Sequence, residues 1–195
     1  MESRNIDNNI KDNNIDNKSP IISHNCRIRH PLSGYFSVGD YSIIDDYSYF
    51  STKVKIGRCS HIGSGCSIAG GKKRSFVMGN YSTLSSGVKI YCTGDDFIND
   101  TTIIVPNGCS LLKDHLITGD VTMEDYTAIG TNSVVMPGNT IPEGTVIGAL
   151  SFVPPNFKFV PWAVYAGIPI KFMRLRNKEN VIRQIEEVKN YIARK

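Results

Sequence analysis

Apolar residues return at every sixth position of this chain. Val38, Ile44, Phe50, Ile56, Ile62 and Ile68 form one unbroken series, Met78, Leu84 and Ile90 a second, and Met123, Ile129, Val135, Ile141, Ile147 and Val153 a third, which Ile117 leads into. An amphipathic helix repeats about every 3.6 residues and a half-buried strand about every 2, so neither accounts for the beat. The residue after an anchor is often Gly, Ala, Asp or Glu, as at Gly39, Asp45, Gly57, Gly63, Ala69, Gly79, Glu124, Gly130 and Gly148. The fourth residue after it is small or β-branched, as at Ser42, Ser48, Val54, Ser60, Cys66, Ser82, Val121, Thr127, Ser133 and Ser151. Each hexad therefore reads as a short strand followed by a corner. Three hexads close a triangular turn, and turns stacked at the inter-strand spacing of about 4.8 Å bury the anchors in a continuous ladder. The expected fold is mainly β, a parallel β-helix built of hexapeptide repeats.

The ends of the chain obey other rules. Residues 1–20, a low-complexity mix of Asn, Asp, Ile and Lys, have no packable face and are expected to form a disordered or loosely attached arm. Residues 21–170 are expected to form the β-helix domain, and residues 171–195 a helical tail. In that tail Asn177 is placed to cap a helix whose Val181, Ile185, Val188 and Ile192 make an apolar stripe. A net charge of +4 is too small and too scattered to argue for nucleic acid, though it suits a phosphate-bearing small molecule. With no long apolar run and no apolar stretch behind a basic start, neither a membrane span nor a signal peptide is expected, and a cytoplasmic location follows. Five cysteines with no C-x-x-C pair argue for reduced thiols rather than a disulfide framework or a zinc site.

Two insertions break the beat, one near 70–77 (GGKKRSFV) and a longer one near 92–116 that opens CTGDDF. Counted in threes, Ile68 and Ile90 both begin the third face of a turn, so the two insertions leave at one corner, one turn apart, and are expected to stack. Lys72, Lys73 and Arg74 then lie beside Asp95 and Asp96. The second insertion has two readings. In the favoured one it runs to Leu116, the coil resumes at Ile117, and His115 returns to the corner of Asp95 and Asp96; in the other, Val105 and Leu111 keep the beat and His115 sits one face away, about 15 Å off.

The hexads IGTNSV and IGALSF, followed by VPPNFKFVPWAVYAGIPIKFMRLR with Ala166, Gly167, Pro169 and Lys171 as an A-G-x-P-x-K tail, resemble the hexapeptide-repeat acyltransferases over roughly residues 36–176. The resemblance is nearest to sugar acetyltransferases of polysaccharide and glycan biosynthesis. It implies a left-handed coil, a homotrimer with its sites in the clefts between copies, and acetyl-CoA as co-substrate with no metal. It also implies coenzyme A lying along the later turns near Gly130, Thr131, Gly148 and Ala149, with Lys171, Arg174 and Arg176 suited to its phosphates. Acyl transfer from a thioester needs a positioned nucleophile, a proton acceptor and donors for the oxyanion. His115 is the natural base because its ordinary pKa lies near working pH. Asp95 and Asp96 are candidates to orient that histidine, to bind sugar hydroxyls or to hold an amino group, although T-G-D-D is also good turn chemistry. Lys72, Lys73 and Arg74 suit a pyrophosphate. The expected activity is acetyl transfer to the 4-amino group of a nucleotide-linked sugar, with a sugar hydroxyl as the alternative acceptor.

His24, His30 and His61 read as exposed or structural, and Trp162 as a packing anchor. Two rivals are weaker. A metal-dependent hydratase of the γ-carbonic-anhydrase type needs three histidines facing one cleft, and only two of the four stand near the coil. A non-catalytic scaffold needs neither a Gly-Asp-Asp loop nor a basic exit.

Overall fold

The computed structural model describes residues 18–29, 34–96 and 116–194. Over these residues the chain winds into a three-faced parallel coil. The first face stacks Ile21–Ile22, Ile43–Ile44, His61–Ile62, Thr83–Leu84, Ala128–Ile129, Val146–Ile147 and Ala163–Gly167 in register. The second face carries Arg27–Ile28, Val134–Val135 and Phe152–Val153, and the third Phe36–Val38, Val121–Met123 and Thr140–Ile141. Tyr49–Ile56 and Ser67–Met78 run round the corner between those two faces and belong to both.

The hexad anchors fill the interior. From Ile44 to Val153 the anchors of the three series are at most 3% exposed, while Val38 is only partly buried against the same core. Each buried anchor stabilises the coil by about 1.5–3 kcal/mol relative to leaving it in water. The small polar residue of the hexad has its own purpose. Ser42, Ser60 and Ser82 donate to the carbonyls of Gly57, Gly79 and Glu124 in the neighbouring turn, and their hydroxyls accept from the N–H of Ser60, Ser82 and Thr127. A buried column of hydroxyls thus stitches turn to turn and leaves the corner backbone satisfied.

Corners need a left-handed residue, and here the chain departs from the usual glycine. Tyr41, Cys59, Tyr81, Tyr126, Gly144 and Trp162 all have positive φ and form one column at the corner between the third and first faces. Tyr81 and Tyr126 stack at 5.9 Å, and Tyr126 meets Trp162 at 6.1 Å. A Cβ on Gly144 would lie 2.3 Å from the Trp162 ring, so the glycine is what admits the indole. The indole N–H donates to Glu143, and Lys178 lies over the ring at 5.0 Å, consistent with Trp162 as a packing anchor.

Three boundaries differ from expectation. Lys18–Pro20, grouped with the arm, already sit on the coil, since the Lys18 carbonyl accepts from Tyr41 N–H. The coil resumes at Val121, not Ile117, because Leu116–Thr118 pairs antiparallel with Thr93–Asp95 and spends Ile117 on the root of a hairpin. Residues 171–175, grouped with the helical tail, belong to the strand Ile170–Leu175, antiparallel to Ala163–Gly167. The helix proper is Lys178–Ala193, capped as expected by the Asn177 side chain accepting from Asn180 N–H. Within it Val188 faces solvent, and Ile182 takes its place beside Val181 and Ile185.

Candidate active site

Both insertions leave the coil at the corner between the second and third faces. In the first, Gly71 pairs with Thr52 and Ser75 with Lys53, so the extra residues opposite that single step are Lys72, Lys73 and Arg74, a narrower bulge than 70–77. Thr52, 4% exposed, donates from Oγ1 to the carbonyls of both Gly71 and Arg74 and so pins both ends of the bulge. In the second, Thr93–Asp95 and Leu116–Thr118 form the root of the hairpin. The two are joined directly: Thr93 Oγ1 donates to the Gly70 carbonyl at 3.1 Å, Arg74 Nη2 donates to Thr118 Oγ1 at 2.6 Å, and the Asp120 carboxylate accepts from Ser75 N–H at 2.9 Å. The expected stacking of the insertions is therefore what the structure shows.

Lys72, Lys73 and Asp95 are exposed, with Asp96 half-buried after Asp95. Arg74 differs from its neighbours in being half-buried, with its Nη2 donating to Thr118. His115 lies outside the described residues, as do His30 and Cys109. Beneath this corner sits Cys92, fully buried, its thiol pushed up to about 12 by burial. That thiol is inert chemistry and tight packing: a Cβ on Gly70 would lie 2.5 Å from Cys92 Cβ.

The residues expected to border coenzyme A stack one turn apart on the corner between the first and second faces. Gly130 donates to Ile147, Gly148 donates to Tyr165 and accepts from Ser133, and Leu150 donates to the Thr131 carbonyl. At Gly130 the lack of a side chain is enforced, since a Cβ there would lie 2.4 Å from Ala149 N. Thr131 and Ala149 form an exposed ledge of small residues. Lys171 and Arg174 are exposed on the last strand, where Arg174 Nη1 donates to the Leu175 carbonyl. Arg176 is a correction to the phosphate reading. Its guanidinium donates to the carbonyls of Tyr126 and Gly144, and burial followed by the nearby Arg174 charge lowers its pKa. It fastens the start of the helix to the aromatic column.

Elsewhere, His61 Nε2 pairs with Asp45 at 2.9 Å on the outer first face. Ser23 and Asn25 donate to Asp46, and these bonds hold its carboxyl below the ordinary range. Among the described residues no three His, Cys, Asp or Glu side chains could together hold a metal ion, and no helix is long and apolar enough to cross a membrane.

The stacked hexads and this single decorated corner define a class, the left-handed parallel β-helix proteins. No protein-family model matches the chain. It is 29% identical over 167 residues to the dTDP-4-amino-4,6-dideoxy-D-glucose acyltransferase of Escherichia coli, covering 81% of this chain and 83% of that one. Among solved structures it is similar to AntD, an N-acyltransferase from Bacillus cereus crystallised with dTDP and 3-hydroxybutyryl-CoA, at TM-score 0.77 and 29% identity over 89% of each chain. It is also 25% identical over 185 residues to mitochondrial gamma carbonic anhydrase 2 of Arabidopsis thaliana, of which it spans 58%. These relatives and neighbours are acyltransferases, and the hexapeptide-repeat acyltransferase family fits the chain.

Proposed function

We propose that this protein transfers an acyl group, acetyl in the simplest case, from its coenzyme A thioester to the 4-amino group of a dTDP-linked 4-amino-4,6-dideoxy sugar. The observation that carries the reading is the corner where a basic bulge and the Asp95 hairpin are bonded into one unit, on a coil similar over most of its length to two acyltransferases of such sugars. A diphosphate and an amino group on opposite sides of one sugar ring match a basic and an acidic element in contact.

In the reaction the amine nitrogen attacks the thioester carbonyl, the carbon–sulfur bond breaks and coenzyme A leaves as thiol. The proton lost by the nitrogen needs an acceptor. In this reading Asp95 and Asp96 hold the amino group, take that proton and return it to the departing sulfur, with His115 as the alternative base. The ledge of Thr131 and Ala149 suits the thin pantetheine arm, and Lys171 and Arg174 suit phosphates.

AntD has been crystallised with a serine altered and, separately, with an aspartate altered ten positions further along. Here Ser85 and Ser86 precede Asp95 and Asp96 by the same interval. Within one copy the two pairs lie a face apart, about 15 Å for four to five residues of strand, so both would reach one amino group only across adjoining copies. That supports a homotrimer with clefts between copies. A nucleotide-linked acceptor and acyl-CoA favour the cytoplasm as location and glycan or polysaccharide assembly as destination.

The test is thiol release from acetyl-CoA and 3-hydroxybutyryl-CoA with dTDP-4-amino-4,6-dideoxyglucose, other nucleotide-linked amino sugars and simple sugars. Release with the amino sugars alone supports the reading. Release with maltose-like hydroxyl acceptors alone would replace it with O-acyl transfer.

A further inference from the structure

Four lysines gather where the bulge meets the coil. Lys53 and Lys55 point outward from Tyr49–Ile56, alternating with the buried Val54 and Ile56, while Lys72 and Lys73 stand on the bulge opposite the Thr52–Lys53 step. All four are exposed, and none is in an ion pair or side-chain hydrogen bond among the described residues. The carboxylate set beside Ser75, that of Asp120, is already engaged by the Ser75 N–H, and Arg74 is engaged by Thr118. The register thus gathers four like charges on one corner with no carboxylate paired to any of them among the described residues. They are stable neighbours when an anion lies between them.

Resting on the acceptor reading above, we propose that Lys53, together with Lys72 and Lys73, cradles the acceptor's diphosphate, and that the buried Thr52 is the positioning residue that sets the cradle against the Asp95 hairpin. Lys53 is the member that no loop motif announces, because it sits on a regular strand and reaches the bulge only through the Lys53–Ser75 pairing. Thr52 acts through the bulge. Its two bonds fix where Lys72 and Lys73 stand, and the Thr93–Gly70 bond passes that placement to the hairpin. Rungs lie about 4.8 Å apart, so diphosphate on the bulge puts the far side of one sugar ring at the hairpin root.

Coenzyme A also carries a diphosphate, and the experiment separates the two sources. Lys53→Met, Thr52→Val and Thr52→Ser are compared with wild type for dTDP binding by calorimetry and for KM of the amino-sugar acceptor and of acyl-CoA. Lys53→Met is expected to weaken dTDP binding and raise acceptor KM about tenfold, the loss of one charge-assisted contact, with kcat and acyl-CoA KM unchanged. Thr52→Val is expected to raise acceptor KM with kcat little changed, and Thr52→Ser to restore it. Unchanged dTDP binding in Lys53→Met, or a rise in acyl-CoA KM instead, overturns the cradle; an unchanged acceptor KM in Thr52→Val overturns the positioning role. Wild type that binds dTDP through Lys53 but turns over no amino sugar would keep the cradle and sink the proposed activity, whereas wild type that binds no dTDP sinks the cradle itself.

Discussion

Two edges of the same prism have opposite characters. Along the edge joining the third and first faces, each turn delivers a left-handed residue, four of the six aromatic, and Arg176 and Lys178 tie the C-terminal helix to them. Along the edge joining the second and third faces the register breaks twice, and the residues that emerge are charged and exposed. Left-handed backbone on a non-glycine residue costs about 1–2 kcal/mol, and the aromatic edge offsets part of that cost by ring contact, Tyr81 with Tyr126 and Tyr126 with Trp162. On the decorated edge hydrogen bonds join the two insertions, but Lys53, Lys72 and Lys73 have no ion-pair partner among the described residues. Its exposed cations and carboxylates become useful only when something binds. The difference separates what holds the coil from what the coil holds.

Substitutions should dissociate the two edges. The largest effect is expected from Asp95→Asn, which should lower kcat/KM about 100-fold by removing the acceptor-side carboxylate, while its urea midpoint stays at the wild-type value; a shifted midpoint with intact activity would reverse the assignment of the edges. Gly144→Ala should do the opposite. At φ +70°, with the Trp162 ring 2.3 Å from the new Cβ, it should cost about 2–4 kcal/mol and change Trp162 fluorescence, with acceptor KM unaltered in the protein that folds. Arg176→Met should cost about 1–3 kcal/mol by orphaning two carbonyls and leave acyl-CoA KM unchanged; a raised acyl-CoA KM would return Arg176 to the phosphate role.

The smallest effect concerns pH. Burial raises the Cys92 thiol from the ordinary 9.0 to about 12, so the folded chain keeps that proton after the unfolded chain has lost it. The corresponding stability is fully present below pH 9 and lost as pH rises toward 12. Cys92→Ala should flatten that alkaline fall in urea titrations followed by circular dichroism.

The interior of this fold could be read from the chain because burial acts on single positions: an anchor every sixth residue is apolar or the ladder has a hole. The corner shared by the insertions was also legible, since counting hexads fixes the face. Where the coil resumes was not, because Ile117 keeps the beat yet spends its backbone on the hairpin, and pairing partners are invisible in a one-dimensional pattern. Arg176 reads as one more basic residue in a basic run until the carbonyls it meets, 50 and 32 positions earlier, are in view. Lys53 escaped for the same reason, lying on a strand that looks like any other hexad. The aromatic column escaped because its members recur once per turn, at intervals stretched by the insertions.

The reversal at Gly167 bears on how the coil ends. A parallel coil stopped at an arbitrary turn would present a bare row of N–H and C=O groups, a template on which a second chain could continue the winding. Folding Ile170–Leu175 back against Ala163–Gly167 occupies that row on the first face with a strand of the wrong direction, which carries the exposed Lys171 and Arg174. On its first face the coil therefore carries its own stop, a strand on which a further parallel rung of the same winding has no place to pair.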